Sequence, residues 1–427
     1  MTDEARTAAF DAVRRVTEQG GYSNLAIPAG LRRSGLDSQD RGFASELAYG
    51  TLRRLLTLDW IIAGAASRPP ERMSAGARTA IRVGAYQLAF MRVPDHAAVS
   101  ESVALVSDRE RGFVNAVLRR IARQRPELPQ GPDDEDVSIR TGMSPWAVGE
   151  LRRLLGAAAE EAAAALATRA DLSLRANRCV RSVQDLEQDL LAAGHHPLRG
   201  SLHPDILLLE GGDPEGLPGF GQGAFAVQDQ ASAFVVGALD PQPGERVLDL
   251  CAGPGGKLAH MACLVGQEGL AVGGDIHPSR AAVVAATASR LHVRARVLAQ
   301  DARTSAVRGT FDRVLVDAPC SGLGSARRRP ELLWRAERTS LSGLARLQVA
   351  IAAAAVDRLR PGGRLVYSVC TFPRAETDAA CDALLAHRPE LEPVTIEGPD
   401  GPAERVRLWP HRHGSDAMFT AAFRRRD

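Results

Sequence analysis

The sequence predicts a multidomain chain: an all-α amino-terminal domain (1–128), a small α+β connector (139–223), and an α/β domain (224–427) on a mostly parallel, doubly wound sheet. Three observations predict it. Apolar residues in the first domain recur at steps of three and four, as on one face of a helix. After about residue 224, short apolar runs alternate with helical stretches, the pattern of strands joined by crossover helices. Between them, helical and strand-like pieces are mixed.

In the first domain the periodic sets are Ala8, Val13 and Val16, then Phe43, Leu47 and Leu55, then Ile81, Ala85 and Leu88. Residues 112–123 extend the pattern and add a basic face. Residues 126–138 are polar and proline-bearing, with an acidic run at 133–136, and read as a linker. The connector should hold an alanine-rich helix over 145–169, a strand over 172–177, a helix over 183–193 and a glycine-rich stretch over 211–223. A helix over 228–238 then leads to strands at 247–250, 270–274, 295–298, 311–316 and 364–369.

Composition sets outer bounds. The chain has 427 residues, 45% of them hydrophobic, which is enough for two or three buried cores. No apolar run approaches the roughly eighteen residues that span a membrane. The segment Met1 to Glu4 has neither the basic start nor the apolar core of a signal peptide. The six cysteines form no Cys-x-x-Cys pair, and no histidine spacing suits zinc. Free thiols, no metal and a reducing cytoplasm are the expectation. Nothing calls for a second copy of the chain, so a monomer is expected.

The net charge of +2 hides an uneven distribution. Residues 1–125 carry 19 Arg against 13 Asp plus Glu, a surplus of +6; the remainder has 34 basic against 38 acidic residues, or −4. A basic front domain suits a polyanion, because neutralised phosphates release counterions. Lys257 is the only lysine in the chain. Everywhere else arginine serves as the cation, so a lysine inside a glycine loop points to local geometry.

That loop, 251–257, follows the first strand of the α/β domain. It lacks the pattern of a phosphate loop: Cys251 stands at the first glycine and Leu258 at the magnesium-binding hydroxyl. A dinucleotide fingerprint also fails at Leu258. What remains is a tight turn whose backbone can approach a ligand closely. Successive strands end in Asp275, Asp301 and Asp317. An acid at the second strand's end suits the paired hydroxyls of a ribose. Ribose without pyrophosphate fits S-adenosylmethionine.

Cys320 and Cys370 each open a loop after a strand, so both should face the same crevice. Carbon 5 of cytosine is a poor nucleophile until a thiolate adds at carbon 6, and one of the two cysteines can supply it. Asp317 could hold the base through its ring nitrogen and amino group. Such a base must leave its stack to be reached. Cys179, Cys251, Cys263 and Cys381 read as small buried hydrophobes.

Residues 249–257, 317–322 and 368–371 resemble the RNA cytosine-5 methyltransferases of the NOL1/NOP2/Sun family. Residues 41–53 and 112–119 look like the NusB-type RNA-binding domain of its bacterial 16S ribosomal RNA branch, the RsmB (Sun/Fmu) type. The resemblance spans nearly the whole chain and implies an all-α NusB-like domain followed by a Rossmann-like methyltransferase domain. It implies Cys370 as nucleophile, Cys320 in proton removal and release, and a cytosine of small-subunit ribosomal RNA as substrate. In DNA cytosine-5 methyltransferases the proline-adjacent cysteine attacks instead, which is the reverse assignment. The implied S-adenosylmethionine site is Cys251, Ala252, Gly253, Pro254, Gly255, Gly256, Lys257, Asp275, Arg280, Asp301 and Asp317. RNA contacts would come from Arg119, Arg120, the run Arg327, Arg328 and Arg329 as a phosphate clamp, and Trp334 as a stacking partner. Four positions depart from the family pattern: Gly253 for Ala, which should only loosen the turn, Val369 for Thr, Leu333 for Lys and Ala417 for Gly. Competing readings are a non-catalytic RNA-binding or antitermination factor, a transfer RNA methyltransferase and a DNA methyltransferase.

Overall fold

The structure is a computed structural model and describes residues 3–427. The chain forms two compact units: one runs to Arg169 and includes Ala326–Ala336, the other comprises Ala170–Ser325 and Glu337–Asp427.

The first unit is helical, as predicted. Glu4–Gln19, Ser23–Arg33, Ser38–Arg53, Leu55–Ala65, Ala75–Phe90, Asp95–Ala104 and Asp108–Gln124 pack around Val13, Val16, Leu47, Leu58, Ile62, Ile81 and Leu118, all wholly buried. Asp3, Asp37 and Ser74 cap their helices by accepting first-turn N–H bonds. The expected linker is shorter than predicted. Its acidic run is the start of a helix, Asp134–Thr141, with Asp133 accepting from the Asp136 amide. Carboxylates there complement the positive end of the helix dipole, which a reading of charge alone takes for solvated loop. The long alanine-rich helix breaks at Gly156, where φ is +56°. Its pieces, Pro145–Leu155 and Ala159–Leu166, belong to this unit rather than to a connector.

Residues 326–336 complete the helical unit from far along the chain. Glu331, fully buried, accepts from the Ser23 amide and hydroxyl. Trp334 donates its indole N–H to the Leu52 carbonyl at 3.0 Å, and Arg335 donates to the Gly21 carbonyl at 3.0 Å. The Ser144 amide donates to the Leu333 carbonyl. Trp334→Ala should therefore destabilise this unit by about 3 kcal/mol. Thermal unfolding of the full chain would register it as an earlier transition, and an unchanged curve would refute the packing role.

In the second unit a four-stranded antiparallel sheet, ordered Leu198–Arg199, Ile206–Leu209, Leu172–Ala176, Phe225–Val227, is packed by helix Val183–Ala192. The main sheet has parallel strands β1 (Arg246–Asp249), β2 (Leu270–Asp275), β3 (Arg296–Ala299), β4 (Phe311–Asp317) and β5 (Leu359–Val369). Three further strands, β6 (Leu391–Val394), β7 (Arg405–Leu408) and β8 (Met418–Arg425), join antiparallel. The order is β6-β8-β5-β4-β1-β2-β3, with β7 also pairing β8. The order doubles back on either side of β1, which makes the edge beside it a switch point.

One stretch, Arg338–Val356, is long and apolar enough to cross a membrane, contrary to the sequence expectation. It contains the helix Leu341–Val356, whose Ile351, Ala352, Ala355 and Val356 are buried in the core beside β4 and β5. Alanine makes it apolar, while Gln348 on the same helix is buried in a polar network.

Candidate active site

The parallel register puts the loops after β1, β2, β3, β4 and β5 at one carboxyl edge of the sheet. After β1 the chain turns through Cys251–Gly255 into the helix Gly256–Val265. Gly255 has φ +111°, and a Cβ there would lie 3.0 Å from Thr287 and 3.1 Å from Val284. Only glycine gives both that conformation and that approach. At Gly253 a Cβ would meet Asp275 Oδ2 at 2.5 Å and Arg280 Nε at 2.9 Å. The glycine does more than loosen the turn: Arg280 folds over it, donating to its carbonyl at 3.2 Å while pairing with Asp275 at 3.2 Å.

Asp275 is buried, with one oxygen accepting from the His277 amide and the other facing Arg280. Asp301 is turned onto its neighbour Arg303, whose hydrogen bonds hold its carboxyl down at about 2. Lys257 reaches back from the helix to Asp317 at 2.7 Å and to Ser232 at 3.2 Å. Burial pulls its ammonium down, but Asp317 outweighs that and the net shift is upward. Ser368 donates to the other Asp317 oxygen at 2.9 Å. Cys251 lies beside Asp249, and burial with these carboxylates pushes its thiol up.

Asp249 itself is buried at the end of β1. Burial, then the charge of Asp317, raise its carboxyl from 3.8 to about 7, against the pull of Lys257. The unfolded chain ionises this group near 3.8, so its stabilising effect is full below that value and is lost as pH rises to about 7. Asp249→Asn should gain stability over the parent between about pH 5 and about pH 8, by at most roughly 4 kcal/mol. Urea unfolding at the two pH values checks this. Equal parent–variant differences at both would sink it.

The loops after β4 and β5 bring the Sγ atoms of Cys320 and Cys370 to 3.5 Å, both half-buried. The pair titrates unevenly. The hydrogen bond shared by the two sulfurs lowers the Cys370 thiol despite burial, while that same bond, then burial, raise the Cys320 thiol. The loops are tied by residues that sequence reasoning missed. Glu376, fully buried, accepts from the Ser321 amide at 2.9 Å, from the Ser321 hydroxyl at 2.6 Å and from Gln348 at 2.9 Å. Ser321 also bonds Thr371 at 2.7 Å, so one carboxyl braces the neighbours of both thiols. Burial raises the Glu376 carboxyl above its usual range, even though these bonds lower it. The only sequence signal was an acid six residues after Cys370. Gly324 donates to the Cys370 carbonyl at 2.9 Å and accepts from the Ala417 amide at 3.0 Å. A Cβ there would lie 2.0 Å from the Ala417 oxygen.

Other expected positions fall elsewhere. Trp334 is half-buried against the helical unit, with its N–H engaged and the Arg335 guanidinium over its ring at 5.4 Å, so it packs within that unit. Arg327 is buried and donates to the Arg169 carbonyl, and Arg329 lies over the Tyr22 ring at 5.0 Å. The arginine run is thus engaged within the protein, because its segment builds the helical core. Arg119 and Arg120 are exposed on helix Asp108–Gln124, Arg119 donating to Asn115. Cys179 and Cys263, expected as free buried thiols, are instead joined as a disulfide, Cys179 being exposed. Cys381 is buried and free, as expected.

The glycine turn without pyrophosphate features and the buried Asp275 beside it fit S-adenosylmethionine. The fold and this edge define the S-adenosylmethionine-dependent methyltransferases. A family model described as 16S rRNA methyltransferase RsmB/F matches residues 236–424, and one described as the NusB family matches residues 3–123. A methyltransferase of Mycobacterium tuberculosis is 40% identical, covering 99% of this chain and 97% of its own length. Ribosomal RNA small subunit methyltransferase B of Erwinia tasmaniensis is 34% identical over 97% of both chains. A crystallised methyltransferase homologue from Pyrococcus horikoshii is 28% identical, covering 69% of this chain and 99% of its own, with a TM-score of 0.60. The chain belongs to the RsmB/F family of ribosomal RNA methyltransferases and carries a NusB domain at its amino terminus.

Proposed function

We propose that the protein methylates carbon 5 of a cytosine in 16S ribosomal RNA through a covalent bond to Cys370. The observation that carries this reading is the pair of thiols 3.5 Å apart at adjacent strand ends, with the more acidic one on β5. The Cys370 thiolate adds to carbon 6, and the ring's electrons move toward carbon 5. S-adenosylmethionine supplies the methyl group. Cys251 to Lys257, Asp275, Arg280, Asp301 and Asp317 are the residues proposed to hold it. Asp317, fixed by Lys257 and Ser368, orients the base. Once Cys370 is bonded to carbon, Cys320 no longer faces a thiolate and its proton is easier to lose. It gives that proton to solvent and, as the thiolate, takes the proton from carbon 5, and Cys370 leaves as its thiolate. Arg119 and Arg120 are proposed to meet phosphates. The compartment follows from the substrate, the cytoplasm.

Bisulfite sequencing of 16S ribosomal RNA from cells with and without the gene tests this. One protected cytosine should become convertible in the deletion. If every cytosine in that RNA converts equally in both strains, the assignment fails, and a changed site in transfer RNA would redirect it.

A further inference from the structure

Three residues unused by the proposed chemistry converge elsewhere in the second unit. His203 and Asp205 lie in the turn between strands Leu198–Arg199 and Ile206–Leu209, and His260 lies on helix Gly256–Val265. One donor atom from each lies within 4.8 Å of the others. The His203 and His260 rings meet edge to face, 5.0 Å between centroids. His260 is 2% exposed, yet neither of its ring nitrogens has a hydrogen-bond partner. A buried polar group in that condition is destabilising and calls for a missing partner.

We infer that His203, Asp205 and His260 form a binding site for a divalent transition-metal ion of the zinc class, linking the small antiparallel sheet to the helix that follows the glycine turn. Two imidazoles and a carboxylate are a borderline N/O donor set that suits such ions. His203 Nδ1 accepts from the Asp205 amide at 3.2 Å, which places the ring proton on Nε2, so an ion at Nε2 must move that proton to Nδ1 and displace the amide bond. Asp205 Oδ1 accepts from the Arg178 Nε at 2.6 Å, which leaves Oδ2 for the ion. Such outer partners commonly fix metal ligands.

Two charges oppose a cation. Arg178 is offset by Asp205, but Arg175 is fully buried, with Nε on Gln228 at 2.6 Å, and limits the affinity. The ion's role is structural. The Cys179–Cys263 disulfide links the same helix, one turn beyond His260, to the segment after strand Leu172–Ala176. Two cross-links of different chemistry therefore hold the helix that carries Lys257.

The test is titration of metal-stripped full-length protein with Co(II). The expected result is visible absorption of a low-symmetry nitrogen/oxygen site, saturating at one ion per chain. His203→Asn, at a half-buried position, should weaken binding by more than about tenfold, since losing a direct ligand exceeds the loss of an outer partner. His260→Asn should abolish it. Zn(II) should raise the unfolding temperature of the parent and not of His203→Asn. No absorption at micromolar protein would overturn the site. So would thiolate charge-transfer bands that persist in His203→Asn, which would put the ion on free cysteines.

Discussion

Cys370→Ala is expected to abolish methyl transfer, with a fall in turnover on the order of ten-thousand-fold or more, because it removes the thiol proposed to add to carbon 6. Donor binding should survive, since the glycine turn, Asp275 and Lys257 are untouched. Cys320→Ala should behave differently. It keeps the proposed nucleophile but removes the group proposed to free carbon 5 of its proton, so methylated RNA should stay attached to the protein. A labelled RNA band that co-migrates with Cys320→Ala under denaturing conditions, and is absent from the double variant, is the expected observation. If Cys320→Ala is inactive and adduct-free while Cys370→Ala traps RNA, the two roles are reversed, as in the DNA enzymes.

The second large effect is expected at Glu376. Glu376→Ala removes the acceptor shared by the Ser321 amide, the Ser321 hydroxyl and Gln348. Each buried donor left unpaired costs about 1–3 kcal/mol. Because these donors flank Cys320, and Ser321 in turn holds Thr371 beside Cys370, the loss should appear as sulfur atoms no longer held in register. Turnover should drop by about a hundredfold, as expected when reacting groups are displaced by an ångström, with the Michaelis constant for the donor nearly unchanged. Glu376→Gln, which keeps the shape and one acceptor, should recover most of the rate. A rise in that Michaelis constant at constant turnover would show that Glu376 serves the donor site instead.

The main strands were legible because each is a short apolar run followed by a turn residue or an acid, and a parallel sheet gathers such ends on one edge. Cys320, Cys370, Asp317 and Lys257 could be brought together on topology alone. The strands from Leu391 onward were not read, since polar residues and Pro393 interrupt their apolar pattern. Glu376 was hidden for another reason: a lone glutamate in a loop looks solvated until the burial of its partners is known. Trp334 and the arginines before it misled because their segment follows the Cys320 loop in sequence yet belongs to the other unit. The metal candidate was invisible because His203 and His260 stand far apart in sequence and meet only through tertiary folding.

That borrowed segment bears on synthesis. Ribosomes deliver the chain from its amino end, and domains ordinarily fold as they emerge. Here the earliest-made helices lack Glu331, Leu332 and Trp334 until more than half of the remaining polypeptide has been translated. The front unit is complete only once that later stretch has been made. Nascent chains released after Arg169 should therefore be captured by chaperones or proteases far more readily than chains released after Ala336.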